Sequence, residues 1–400
     1  MISLDRYRAL LREPGLGAAV AASFVGRLPI GMAVLSILLF VQQSQQSFAR
    51  AGIASALYVI GVGVAAPFIG RLIDRLGPAR LLRISGMAYP LALGLLIFAV
   101  QSGASDLIVG VAAFCAGAVV PPIPTTIRAL LRRLLREPEH LQTAYSLDSV
   151  LMEMVFILGP GLVSVFTALL WPAGAVMCTA ALGLIGAWVF ASAPAVRAWL
   201  PDALSPRSSR LDVLRTPGLA SVLSVTLFFS LGFGLFEVAV TAIASRAGVP
   251  AAAGAILALT SLGSAAGALV YGSRSWSWSV PAQYRAALAA MAVGLLVLAP
   301  IEHLFAFALV SILAGVPMST VLASQSVLIA GIAPRASLAE CFTWSSTSLL
   351  VGVSAGIAAG GMMLEYGSPT QVLLLASAMT AIGLGIAGLR VRPAKSGLHP

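Results

Sequence analysis

The sequence predicts an all-α membrane protein of twelve transmembrane helices, which an internal repeat divides into two pseudo-symmetric six-helix bundles, and three observations carry the count of spans. The first is composition: of 400 residues, 59% are hydrophobic and 10% charged, with a mean hydropathy of +0.98. Soluble proteins carry about 25% charged residues, so a soluble globule is excluded. The second is segmentation. Apolar runs fall at 16–41, 51–70, 82–102, 107–127, 145–167, 172–193, 217–244, 251–272, 285–302, 304–330, 339–365 and 370–390, each near the ~20 residues a spanning helix needs. The third is the placement of positive charge. Counted from a cytoplasmic N-terminus, every Lys and Arg of the 24 falls on the inner side except Arg27, Arg50 and Arg246. A miscounted span would invert every later gap and destroy that asymmetry.

The elements follow in order. Arg6, Arg8 and Arg12 precede span 1, which is longer than the 7–15 residues of a secretory h-region and is read as an uncleaved first span. In span 2, Ala51-Gly52, Gly61 and Gly70 match Ala253-Gly254, Gly263 and Gly272 of span 8 at a constant offset of 202, as two copies of one half would. Pro29, Pro121, Pro122, Pro124 and Pro317 are expected to interrupt spans 1, 4 and 10. Beyond span 4, Leu130, Leu131, Leu134 and Leu135 alternate with Arg128, Arg132, Arg133 and Arg136, an amphipathic pattern expected to lie along the membrane surface. The Pro- and Arg-containing stretch 194–216 reads as the linker between halves 1–193 and 217–392, with 393–400 as a cytoplasmic tail. Glycines at 263, 267, 352, 356 and 360 offer close helix contact.

Between spans 2 and 3 lies Gly70-Arg71-Leu72-Ile73-Asp74-Arg75-Leu76-Gly77-Pro78-Ala79-Arg80. A tight reversal explains the two glycines, positive charge holds Arg75 and Arg80 at the inner surface, and Asp74 is placed to face the N-terminal end of a neighbouring helix. This turn resembles the signature loop of the major facilitator superfamily. Trp276 stands where the second copy would have the aspartate. The resemblance covers about 15–392 and implies secondary transport by alternating access, with this loop gating the cytoplasmic ends.

Ionisable side chains within a span each need a reason, because burial there costs upward of about 2.5 kcal/mol. The candidates are Arg27, Asp148, Glu153 and Glu237. By helical rise Arg27 lies roughly 18 Å into span 1 and Glu153 roughly 12 Å into span 5, whereas Asp148 is near enough to the end of span 5 to reach the interface. One reading makes Arg27 a substrate or counter-ion anchor and the glutamates proton-binding groups, since an apolar cavity favours the neutral carboxyl. The other pairs Arg27 with Glu153 as a packing ion pair. Gly159-Pro160-Gly161 in span 5 resembles the core of the exporter-associated motif of the same superfamily, although Val155 and Ser164-Val165 stand where the fuller motif has glycines. Ala113 stands where drug/proton antiporters carry an arginine in span 4.

Several classes fall away. The net charge of +10 and pI near 10.4 would suit nucleic acid, but the charges sit in short clusters between apolar runs. No P-loop sequence occurs, and the single lysine is Lys395. His140, His303 and His399 lie at loops or ends, which leaves no catalytic residue set. Cys115, Cys178 and Cys341 have no metal-ligand spacing and read as packing residues. No cofactor, metal or nucleic-acid partner is expected. The expected partners are a small-molecule substrate, protons and the lipid bilayer of a bacterial inner membrane, with the protein a monomer and both termini cytoplasmic. Proton-coupled efflux of a small amphiphile is the leading expectation. Import or facilitated diffusion of an anionic metabolite, and a non-transporting sensor, are the alternatives.

Overall fold

The computed structural model describes residues 4–12, 15–135, 137–169, 172–199, 216–249, 252–334 and 337–391. Most of the 194–216 linker, the 393–400 tail, Arg136, Trp171 and Arg335 lie outside those residues. Among the described residues every regular element is a helix. In chain order these are α1 (Leu4–Arg12), α2 (Leu16–Gln45), α3 (Phe48–Leu76), α4 (Pro78–Gln101), α5 (Asp106–Ala118), α6 (Ile123–Leu134), α7 (Pro138–Leu169) and α8 (Pro172–Ser192). There follow α9 (Pro194–Arg197), α10 (Leu219–Arg246), α11 (Ala252–Gly272), α12 (Val280–Leu298), α13 (Leu304–Ile332), α14 (Leu338–Tyr366) and α15 (Pro369–Arg390). Among the described residues, twelve stretches are long and apolar enough to cross a bilayer, with α5 and α6 together forming the fourth.

Proline acts unevenly. α2 runs through Pro29 and α13 through Pro317, so spans 1 and 10 bend at most rather than break. Span 4 does break, between Ala118 and Ile123, where Pro121 and Pro122 remove two successive backbone donors. The break frees α6 to turn inward. Leu130 and Leu131 are buried in the main core, and α6 packs against α2, α7 and α14. The amphipathic segment expected on the membrane surface is therefore an interior helix.

The twelve spans form two bundles. In the first, α2 packs on α7 and α8, α3 on α5, and α4 on α8; in the second, α10 packs on α14 and α15, and α13 on α11 and α12. The internal repeat is visible in the glycine contacts. Gly61 of α3 lies against the Phe114 carbonyl of α5, and Gly263 of α11 lies against the Ile312 carbonyl of α13. Gly117 meets the Tyr58 carbonyl, and Gly315 meets that of Thr260. Each pair of contacts repeats the other half's geometry, and in each a Cβ would collide with backbone.

The seam between bundles is made by α3 with α14, α7 with α11 and α13, and α6 with α14. It is tightest at the end where α3 turns into α4 and α6 into α7, here termed the basic end for its arginines. There one core joins Leu131 and Tyr145 to Leu338 and Phe342, with the Tyr145 and Phe342 rings 6.0 Å apart. Toward the far end of the first bundle, Phe40, Tyr58, Leu93 and Val176 belong to a core containing that bundle alone. The buried framework therefore joins the halves at one end.

Candidate functional site

At the basic end, α3 stops at Leu76 because Gly77 takes φ 78° and Pro78 starts α4. That turn leaves Asp74 in the last turn of α3, facing the first turn of α14. The first backbone N–H groups of a helix lack intrahelical acceptors, and here a carboxylate supplies them. Asp74 Oδ1 accepts from the N–H of Ala339 at 3.3 Å, and Oδ2 from that of Glu340 at 3.1 Å. Arg71 Nε donates to Glu340 Oε1 at 2.6 Å. Gly70 makes the approach possible, because a Cβ there would lie 2.9 Å from Glu340 Cα and 3.0 Å from Thr343 Cγ2. Arg75 and Arg80 are exposed and make no ion pair or hydrogen bond among the described residues.

The second copy of this contact is chemically reversed. Gly272, the counterpart of Gly70, packs against Ser146 of α7. With Trp276 in place of an aspartate, the helix end itself accepts: Gln142 Nε2 donates to the carbonyls of Tyr271 at 2.8 Å and Arg274 at 3.2 Å. Thr143 Oγ1 donates to the Gly272 carbonyl at 2.8 Å. Two further bonds cross the seam there, from Tyr7 of α1 to the Leu269 carbonyl at 3.0 Å and from Arg132 of α6 to the Ala330 carbonyl at 2.9 Å.

The buried ionisable groups are arranged differently from the expected Arg27–Glu153 pair. Arg27 of α2, fully buried, is paired with Asp148 of α7, and Arg128 Nε of α6 reaches the other carboxylate oxygen at 2.8 Å. Asp148 is itself 4% exposed, so it sits inside the bundle and not at the interface. Five residues along a helix turn a side chain by roughly 140° and raise it by roughly 7.5 Å, which is why Asp148 and Glu153 look in different directions. Arg27 Nε and Nη1 have no partner among the described residues. The broken span 4 explains Arg128, since only an inward-turned α6 can bring it to Asp148.

Glu153 faces the other half. Its Oε1 lies 2.8 Å from Ser264 Oγ of α11 and 3.0 Å from Ser319 Oγ of α13. The carboxyl group thus bridges the bundles, with no cation paired to it among the described residues. Glu237 of α10 is partly exposed, and its carboxyl has no partner among the described residues. Of Gly159-Pro160-Gly161, Gly159 packs its Cα face against the Gly31 backbone where α7 crosses α2; Pro160 and Gly161 are exposed on an unbroken α7. An apolar groove lined by Met87, Leu91, Ile185 and Trp188 lies on the outer face of α4 and α8. Among the described residues no three His, Cys, Asp or Glu cluster as a metal site.

Two six-helix bundles that meet along six spans, joined at one end and with charge buried inside the first bundle, have the architecture of a membrane transporter and not of an enzyme. The chain belongs to the Major Facilitator Superfamily, whose family model matches residues 19–270. An uncharacterized MFS-type transporter, y4rN, of Sinorhizobium fredii is 29% identical over 176 residues, 44% of this chain. The match spans 43% of that relative's length. Among solved structures, a bacterial homologue of the iron transporter ferroportin in an outward-facing state superposes with a TM-score of 0.75 at 10% identity, covering 93% of this chain and 98% of that one. The Escherichia coli fucose:proton symporter gives 0.71 at 14%, covering 94% and 98%. The human organic anion transporter MFSD10 gives 0.71 at 17%, covering 94% and 100%. At these identities the likeness is one of fold.

Proposed function

We propose that this protein is a proton-coupled exporter of a small amphiphilic molecule, acting as a monomer in a bacterial inner membrane with both termini in the cytoplasm. Halves 1–193 and 217–392 rock about a mid-membrane site, and the Asp74 contact latches their cytoplasmic ends. The observation that carries this reading is Glu153, a buried carboxyl without a cation whose hydrogen-bond partners all belong to the opposite half. A group so placed senses both protonation and the closure of the seam. Glu237, partly exposed and with no carboxyl partner among the described residues, is a second acid suited to a proton or a cationic substrate. Gly159-Pro160-Gly161 favours export by resemblance.

A second reading is favoured by one observation. Arg27 keeps two nitrogen donors without acceptors, which suits an anionic metabolite reaching the first bundle. The two readings separate in proteoliposomes. A thermal-shift panel selects a ligand, and its uptake is followed with and without an imposed pH gradient. The exporter concentrates it against its own gradient only when protons flow the other way. A facilitator ignores the pH gradient, and a sensor gives no flux.

A further inference from the structure

The contact around Glu153 contains more short oxygen–oxygen distances than its hydroxyl protons can fill. Glu153 Oε1, Ser264 Oγ and Ser319 Oγ form a closed triangle with edges of 2.8, 3.0 and 2.6 Å. Each edge is within hydrogen-bonding range; two protons fill the 2.6 and 2.8 Å edges and leave the 3.0 Å edge as an unbonded oxygen–oxygen contact. The two serines supply two protons for three edges. Other donors do not make up the deficit. The Ser319 backbone N–H points at Ser264 Oγ from 3.1 Å, outside the triangle. Ser261, which also bonds the carboxylate, brings its own proton to its own bond.

We infer that Glu153, Ser264 and Ser319 form a proton-binding site split between the two halves, and that Glu153 carries a proton on Oε1 when the basic ends are joined. The third proton closes the ring: Glu153 Oε1–H donates to Ser264, Ser264 to Ser319, and Ser319 back to Oε1. Every oxygen then donates once and accepts at least once. The proton comes from water and returns to it, and no other bond is made. Loading it ties α7 to α11 and α13. Losing it leaves a buried anion with one hydrogen bond fewer between the halves, which weakens the tie.

The surroundings leave this carboxyl without a competing charge. α13 carries no titratable side chain, α11 carries only Tyr271 and α8 only Cys178. Arg27 of α2 and Arg128 of α6 are both turned to Asp148, the nearest acid on α7 itself. The remaining charges, on α1 and the end of α6, lie at the basic end. There Tyr7 and Arg132 bond carbonyls across the seam, and Arg133 stacks on Trp199 with 4.4 Å to the ring centroid.

This assignment rests on the proton-coupled reading and selects Glu153 over Glu237 as the carrier. It is tested without any substrate, by infrared difference spectroscopy of the full-length protein in lipid nanodiscs at neutral pH. The C=O stretch of a protonated carboxyl is expected in the wild type, lost in Glu153→Gln and retained in Glu237→Gln. Ser264→Ala and Ser319→Ala should each shift its frequency, because each removes a hydrogen bond made or accepted by the same Oε1–H. Asp74→Asn, which loosens the joined end, should lower its intensity. A band that survives Glu153→Gln, or is unmoved in both serine variants, overturns the assignment while leaving Glu237 to drive transport. A band that disappears on adding sodium chloride but not choline chloride also overturns it, replacing the proton with a metal cation. Gradient-insensitive flux would instead remove the parent reading.

Discussion

The Asp74 carboxylate accepts a hydrogen bond from the backbone N–H of Glu340, 3.1 Å away across the seam between the two bundles. A side chain at the C-terminal end of one helix thereby caps the N-terminal end of another in the opposite half. The cap is available only while the halves meet at this end, so under the proposed rocking motion it would favour that conformation by a differential contact.

Substituting Asp74 tests that role. Asp74→Asn keeps one acceptor oxygen but removes the charge, and charge at a helix N-terminus is worth about 0.3–2 kcal/mol. Transport should fall while expression and the monodisperse elution profile stay near wild type. Flux normalised to purified protein is the measurement, and unchanged flux removes the latch.

Gly70 tests the closeness of the same contact. Gly70→Ala places a methyl 2.9 Å from Glu340 Cα, and overpacking of this kind costs about 1–3 kcal/mol. Gly52, in the same helix, faces open space within 4 Å. Detergent melting curves should show Gly70→Ala lowering the melting temperature and Gly52→Ala leaving it within error. Equal behaviour of the two would contradict the packed seam.

The Arg27–Asp148–Arg128 triad predicts an asymmetry. Asp148→Ala strands two arginines, one fully buried, and removing one partner of a buried pair costs about 3–5 kcal/mol. Arg27→Met leaves Asp148 still paired to Arg128 at 2.8 Å and replaces a buried charge with an apolar chain. Thermal unfolding should therefore show Asp148→Ala as the more damaging change. The reverse order would mean that Arg27 is held by something other than Asp148.

Much of the fold is legible from hydropathy because lipid imposes length, and the arginine asymmetry fixes the count. Helix ends are less so. α7 starts at Pro138, seven residues before its apolar run, and Leu141, Gln142, Thr143 and Ala144 of that extension are buried by protein and not by lipid. Gly61 and Gly263 announce the repeat through their spacing, and their contacts match. The site is harder to read, since a span's charges can be found but not the direction in which they point. Burial within a span pairs Arg27 with Glu153, yet helical phase sends Glu153 to the other half. Ser264 and Ser319 carry no signal in sequence. A serine in an apolar helix is commonly satisfied by a carbonyl one turn back, as Ser146 is by Gln142 at 2.8 Å. Glu340 was hidden at the edge of its span, and Arg128 was masked by the proline break that turns α6 inward.

The account stands most directly on whether Glu153 moves the proton. Substrate and proton movements should be recorded together in proteoliposomes carrying a pH-sensitive dye, with wild type and Glu153→Gln compared at equal reconstituted amounts. The wild type should acidify or alkalinise the lumen in step with substrate, and the variant should show no substrate-linked proton movement above protein-free vesicles. Proton movement of wild-type size in Glu153→Gln would contradict the account.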